Sequence, residues 1–413
     1  MKSMTCMEDL RVLAKRRVPR MFYEYADSGS WTEGTYRSNQ EDFEKIKLRQ
    51  RVGVSIESRS TAATMLGRGV ALPVAIAPTG LTGMQHADGE MLAARAARDF
   101  GVPFTLSTMS ICSIEDVAQA LNGDPFWFQV YVMRDRRFVE RLIARAKAAN
   151  VGALVLTLDL PVSGQRHKDL KNGLSAPPKL TLSNFANILG KPRWWWNMLR
   201  TRRRTLGNIV GHIEGIGSTT LLSEWCAQQF DPTLSWEDVR WIRRLWHGKL
   251  IVKGIQDVQD AHHAIAAGAD AIVVSNHGGR QLDGAISSIR ALPLIAEQVG
   301  TQIEVHMDGG IRSGQDVLKA LALGAKGTYI GRSMLYGLGA LGQRGVTRAL
   351  EIIQKELDLT MAFCGYLRPG DVDRSILLDE FGLPYLPQQS ARLLASRFVA
   401  AQTSQTSPEL RVG

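Results

Sequence analysis

Ala271-Ile272-Val273-Val274-Ser275-Asn276-His277-Gly278-Gly279-Arg280-Gln281-Leu282-Asp283 joins a β-branched apolar run to a glycine-rich polar turn. A run of this kind bounded by glycine reads as a buried parallel strand that ends in a loop. The loop carries an imidazole and a guanidinium three residues apart. Imidazole exchanges protons near neutral pH, and the planar fork of Arg280 suits a carboxylate. The paired glycines allow backbone to approach a ligand closely. A base and an anion clamp on one loop are what proton removal from a carboxylic acid requires.

Working outward, apolar strand candidates recur at 72–77, 103–107, 126–131, 153–159, 249–253, 271–275, 303–308 and 327–331. Amphipathic helix candidates lie between them at 89–100, 135–149, 258–267 and 314–323. Eight strands alternating with helices predict an α/β chain folded as a (β/α)8 TIM barrel. A doubly wound sheet is the runner-up, but it does not need eight strands. Roughly 90 residues separate the fourth and fifth strands against about 25 to 40 elsewhere, so an insertion after strand four is expected at about 161–235. Residues 1 to about 60 are expected to form an N-terminal helical cap. The barrel unit is thus expected at 1–383, with a Gln-, Ser-, Thr- and Ala-rich tail at 384–413.

Composition excludes several classes. A chain of 413 residues with 45% hydrophobic residues buries a large core. No apolar run approaches the roughly 20 residues that span a bilayer, and Met1 to Asp9 has no signal-peptide-like apolar core. Cys6, Cys112, Cys226 and Cys364 stand far apart without a CxxC, which favours reduced thiols over a disulfide or structural zinc. The histidines show no metal-ligand spacing, so no metal site is expected.

In such barrels the chemistry collects on the loops after the strands. The last two of these loops are Asp308-Gly309-Gly310-Ile311-Arg312 and Gly331-Arg332. Glycine turns leading into helix N-termini form a cradle of amide donors for phosphate, and the arginines add charge. No GxGxxG follows a strand, so a Rossmann dinucleotide site is not indicated.

The 275–283 motif, with Asp308-Gly-Gly-Ile-Arg312 and Ala320-Leu-Ala-Leu-Gly-Ala325, resembles the FMN-dependent α-hydroxy acid dehydrogenase/oxidase family. That family includes glycolate oxidase, flavocytochrome b2, L-lactate dehydrogenase and mandelate dehydrogenase. The resemblance runs from the Pro19-Arg-Met-Phe-Tyr-Glu-Tyr25 segment to about Gly365. It implies oxidation of an L-2-hydroxy acid to the 2-oxo acid, with FMN as cofactor. His277 would be the base, paired with Asp159, and Arg280 and Arg166 would clamp the carboxylate. Tyr25 and Tyr131 would bond the substrate. Lys253 would stand beside the flavin ring, Ser107, Gln129 and Thr157 would bond its edge, and Pro78, Thr79 and Gly80 would pass alongside. Ser275, Asp308, Gly309, Gly310, Ile311, Arg312, Gly331 and Arg332 complete the implied cofactor set. Gly80 and Met109 depart from the oxidase pattern, where alanine and a large aromatic stand, and they favour a dehydrogenase. A membrane-associated, quinone-linked L-lactate dehydrogenase is the expectation. (S)-Mandelate dehydrogenase and a glycolate-type oxidase releasing hydrogen peroxide are the alternatives. The resemblance also implies a homotetramer.

Lys191-Pro-Arg-Trp-Trp-Trp-Asn-Met-Leu-Arg-Thr-Arg-Arg-Arg204 contributes +6 of the formal +10 net charge and has three consecutive tryptophans. Interleaved Trp and Arg suit the headgroup region of an anionic bilayer. A membrane-associating segment is therefore expected at about 185–210, which would hold the enzyme peripherally on the cytoplasmic side of the bacterial inner membrane. A basic patch also attracts nucleic acid, but no nucleic-acid-binding motif accompanies it.

Overall fold

The computed structural model describes residues 4–174, 181–212 and 228–385. Its centre is a parallel sheet of eight strands. In chain order these are β1 (Val74–Ile76), β2 (Thr105–Ser107), β3 (Trp127–Tyr131), β4 (Ala153–Thr157), β5 (Lys249–Ile255), β6 (Ala271–Val274), β7 (Glu304–Asp308) and β8 (Gly327–Ile330). Each pairs with its neighbour in sequence, and β8 returns to β1. A parallel bridge from Ile76 to Phe104 closes β1 onto β2. The result is a (β/α)8 barrel. Every expected strand is present, most of them shortened by a residue or two at the ends. Helices Gly89–Phe100, Arg136–Ala148, Val258–Ala266 and Gly314–Ala322 occupy the expected crossovers.

The strands are apolar on both faces because both are buried. Outward residues such as Val74, Leu106, Val130, Leu154, Val252 and Ile272 pack against the helix ring. Inward residues Ala75, Ala153, Ala271 and Ile251 leave room for the large rings of Trp127 and Tyr329. The floor was not foreseen. A hairpin, Ala63–Met65 with Arg68–Val70, inserts Met65 and Leu66 beneath this inner layer. Glu304 at the start of β7 accepts the Leu66 N–H at 2.9 Å.

The N-terminal cap is three helices, Met7–Arg17, Arg20–Ala26 and Gly34–Glu44. It is not wholly helical: Lys47–Leu48 pairs antiparallel with Leu377–Leu378. The 275–283 motif fastens the cap to the open end of the barrel. Asp283 accepts the N–H groups of Thr32 and Thr35 at 3.0 and 2.8 Å, and Asn276 exchanges amide bonds with Asn39 at 2.8 and 2.9 Å.

The insertion contributes helices His167–Lys171, Leu182–Leu189 and Pro192–Arg200. The tail from 386 onward lies outside the described residues.

Candidate active site

Most of the expected site residues gather at the C-terminal end of the barrel, many of them lining a cavity of about 810 Å³. Tyr131 ends β3, Thr157 ends β4, Lys253 lies in β5 and Asp308 ends β7. Tertiary folding brings Asp159, from the loop after β4, to His277, from the loop after β6. Nδ1 of His277 lies 2.8 Å from Oδ1 of Asp159. His277 holds a left-handed backbone (φ 57°), which costs a non-glycine residue roughly 1–2 kcal/mol. Ser275 Oγ accepts its N–H at 3.0 Å and steadies that turn. Burial opposes ionisation of Asp159, but the nearby His277 and Lys253 outweigh it and hold its pKa below the ordinary carboxylate range.

Arg166, Arg280 and Tyr25 line the same cavity as His277. The guanidinium carbons of Arg280 and Arg166 lie 4.7 and 6.0 Å from the Tyr25 ring centre. Nη1 of Arg280 donates to the Tyr25 carbonyl at 2.6 Å and the Ser28 carbonyl at 3.2 Å. Burial, and then the like charge of Arg166, bring the Arg280 pKa down to about 10, still cationic at neutral pH. Asp169 aims Arg166 by accepting from its Nε at 2.6 Å. Burial pushes the Tyr131 hydroxyl well above its ordinary range, so it stays a neutral donor.

A model of the FMN-dependent dehydrogenase family matches residues 14–379. The chain belongs to that family, and FMN is its cofactor. It is 45% identical over 377 residues to an L-lactate dehydrogenase of Pseudomonas syringae pv. syringae, covering 90% of this chain and 97% of that protein. An L-lactate dehydrogenase of Caulobacter sp. is 46% identical over 373 residues, covering 89% and 97%. Among solved structures, the monotopic membrane protein (S)-mandelate dehydrogenase superposes with a TM-score of 0.87 at 36% identity, covering 92% of this chain and all of that one. A mandelate oxidase superposes with a TM-score of 0.78 at 34% identity, covering 92% and 100%.

The residues present fit FMN. Buried polar atoms without a protein partner include Gln129 Nε2, Thr157 Oγ1, Asp308 Oδ1 and Arg312 Nη2. An unpaired buried polar atom costs about 1–3 kcal/mol. A flavin ring edge, ribityl hydroxyls and a phosphate are chemically matched to this set. Lys253 is fully sequestered, 2.8 Å from Asp308 Oδ2 and 2.7 Å from Ser275 Oγ. Burial works against its charge, but Asp308 and Asp159 keep its pKa above the ordinary lysine range. Gly309 and Gly310 have φ of 94° and 92°, and a Cβ on Gly310 would collide with the Asn39 carbonyl. Pro78, Thr79, Gly80, Ile311 and Gly331 also line the cavity.

Not every expected cofactor contact reaches the cavity directly. Ser107, Gln129, Thr157 and Ser275 are not on its wall, though Gln129 Nε2 and Thr157 Oγ1 are buried without a partner. Ser107 Oγ donates to Gln129 Oε1 at 3.0 Å, leaving the amide nitrogen free, and Ser275 Oγ is taken by Lys253 and the His277 amide. Both serines orient their neighbours. The Arg332 side chain reaches the cavity, and each of its three nitrogens donates to a carbonyl, of Ala26, Gly278 and Ser28, at 2.9, 2.9 and 2.7 Å. These bonds tie cap to barrel, while Nη2 of Arg312 is buried with no protein partner.

Two functional positions escaped the sequence. Gln281 Nε2 donates to the carbonyls of Asp159 and Val162, both at 2.9 Å, locking the loop that carries Asp159. Asp169 was readable three residues after Arg166, a spacing at which helical side chains meet.

Proposed function

We propose that this FMN-dependent 2-hydroxy acid dehydrogenase oxidises L-lactate to pyruvate at the inner face of the bacterial cytoplasmic membrane and passes the electrons to quinone. The observation that carries the reading is His277, paired with Asp159, lining one cavity together with Arg166 and Arg280. The two arginines hold the substrate carboxylate, which aims the α-carbon and its hydroxyl at His277. Asp159 is an acceptor on Nδ1, so Nδ1 carries the hydrogen and Nε2 is the atom free to take the substrate proton. The imidazolium then formed lies against the Asp159 carboxylate, which stabilises it. Tyr131 and Tyr25 supply hydroxyls to the bound acid. FMN, when bound, supplies the two-electron acceptor, held by Gln129, Thr157, Lys253, Asp308, Arg312 and the Gly309-Gly310 turn.

Lactate is favoured over larger acids by the curated relatives at 45% identity. The fold likeness to (S)-mandelate dehydrogenase at TM-score 0.87 keeps mandelate as the second reading. Anaerobic addition of L-lactate should bleach the yellow holoenzyme at low concentration, with (S)-mandelate much less effective. Bleaching by mandelate alone would reverse the order.

Membrane attachment rests on the insertion. No described helix is long and apolar enough to cross a bilayer. Helices Leu182–Leu189 and Pro192–Arg200 expose Leu182, Phe185, Leu189, Trp196 and Leu199, with Leu182 90% exposed. Arg193, Arg200, Arg202 and Arg204 are exposed beside them. An apolar face rimmed by cations suits an anionic interface. The tryptophan run divides its labour: Trp194 turns inward, stacking on Phe22 at 5.3 Å and donating to the Met84 carbonyl at 2.8 Å. Arg203 is likewise bound, to Asp88 and Asp116. Replacing Phe185, Leu189, Trp196 and Leu199 by serine should release the enzyme from membranes while L-lactate still bleaches it. A wild-type protein that is soluble at low salt and makes peroxide at its full turnover rate refutes both membrane and quinone.

A further inference from the structure

Asp27 lies outside the cavity wall, yet it is the most heavily bonded carboxylate in the cap. It is 9% exposed. Oδ1 accepts from the hydroxyls of Tyr36 and Tyr336 at 2.8 and 2.6 Å, and Oδ2 accepts from Tyr23 at 2.7 Å and Arg11 at 3.3 Å. These partners come from four different helices: Met7–Arg17, Arg20–Ala26, Gly34–Glu44 and Arg332–Leu341, the last of which follows β8. Burial opposes the charge, but the three hydroxyls and Arg332 prevail and bring the Asp27 pKa down to about 2. It is a carboxylate at working pH, and the three tyrosine hydroxyls donate to it.

Asp27 is also the C-cap of helix Arg20–Ala26. The last carbonyls of a helix lack intrahelical partners and form its negative end. Here cations from the barrel and insertion take the carbonyls of residues 25–28 at and just past this end. The Tyr25 carbonyl takes Arg280, the Ala26 carbonyl takes Arg332, the Asp27 carbonyl takes Lys168 at 3.3 Å, and the Ser28 carbonyl takes both arginines. The segment 25–28 is therefore a docking rail for the guanidinium groups. Among the described residues the Arg280 fork is otherwise held only by the Ser28 hydroxyl at 3.4 Å and by its stacking on Tyr25, both on the same rail.

We propose that Asp27 is a positioning residue for substrate binding: by gathering Tyr23, Tyr36 and Tyr336 it fixes the carbonyls of 25–28, and these aim Arg280 at the substrate carboxylate. The inference rests on the reading of Arg280 as the carboxylate clamp given above. It makes the cap part of the recognition machinery. Loss of the cage lets the rail shift, Arg280 follows it, and the carboxylate is held less well.

The test uses the FMN-loaded full chain and compares Asp27→Asn, Tyr36→Phe, Tyr336→Phe and Arg280→Lys. The readouts are KM against kcat for L-lactate and the dissociation constant of oxalate, an unreactive carboxylate, followed by its perturbation of the flavin absorbance. Asp27→Asn should weaken oxalate binding and raise KM by about tenfold while kcat changes by less than about threefold. Each tyrosine variant should do the same by about two- to fivefold. A purely structural role would lower the yield of folded holoenzyme and leave KM and oxalate affinity of the remainder unchanged, which overturns the proposal. Should Asp27→Asn not fold, the tyrosine variants decide by the same criterion. If Arg280→Lys itself leaves oxalate affinity intact, the clamp reading has failed. If Arg280→Lys weakens oxalate and the cage variants do not, the positioning role alone has failed.

Discussion

Replacing Asp159 by asparagine isolates what the carboxylate contributes to proton transfer. Asparagine has the same shape and still accepts from Nδ1, so the 2.8 Å contact to His277 is retained and only the charge is removed. Two opposite unit charges about 4 Å apart attract by about 4 kcal/mol at an effective dielectric of about 20. The ring acquires its charge only as the proton arrives, so about half to all of this attraction is felt at the transition state. The chemical step should then slow by about 2–4 kcal/mol, or roughly 30- to 1,000-fold. KM should move little if, as proposed, Arg166 and Arg280, which line the same cavity, are what hold the carboxylate. The assay is anaerobic rapid mixing of holoenzyme with L-lactate, following loss of flavin absorbance in a single turnover. A variant reduced within about threefold of the wild-type rate would show that the ring needs no counter-charge and that Asp159 only orients it.

Three further outcomes are expected. Arg280→Lys should raise KM for L-lactate at least about tenfold and also lower kcat, since a point ammonium cannot grip two carbonyls and a carboxylate together; unchanged steady-state kinetics would leave Arg166 as the sole clamp. Gly310→Ala places a methyl group against the Asn39 carbonyl in a backbone at φ 92°; it should cost about 2 kcal/mol or more and abolish FMN retention on desalting, and a variant that elutes yellow with the parent melting temperature contradicts this. Asp27 has its pKa lowered from 3.8 to about 2; its contribution, about 2 kcal/mol, is present above pH 4 and lost as pH falls toward 2. Asp27→Asn should therefore be less stable than the parent in urea at pH 7 and converge with it near pH 2, and a gap that does not narrow would exclude the ionised carboxylate as its source.

The barrel was legible in the sequence because its signal is local. Each strand is a short β-branched run, each crossover a helical period, and the two repeat until the count of eight closes a barrel. The Asp308–Arg312 turn was legible for the same reason, since φ values near 90° at Gly309 and Gly310 admit glycine alone in practice. His277 and Arg280 share one loop, so their joint chemistry could be read from neighbouring letters. Asp159 lies 118 residues from His277, and only the barrel wall, which sets their strands on either side of β5, makes them partners. The fates of the two arginines after β7 and β8 were likewise undecided by sequence: the cap presents free carbonyls to Arg332 and leaves Arg312 with an unpaired donor. Trp194, Trp195 and Trp196 are identical letters, yet Trp194 faces Phe22 while Trp196 faces solvent. Periodicity is a property of neighbours along the chain, and hydrogen-bond satisfaction is a property of neighbours in space. The first could be counted from residues alone, while the second existed only once the cap had closed on the barrel.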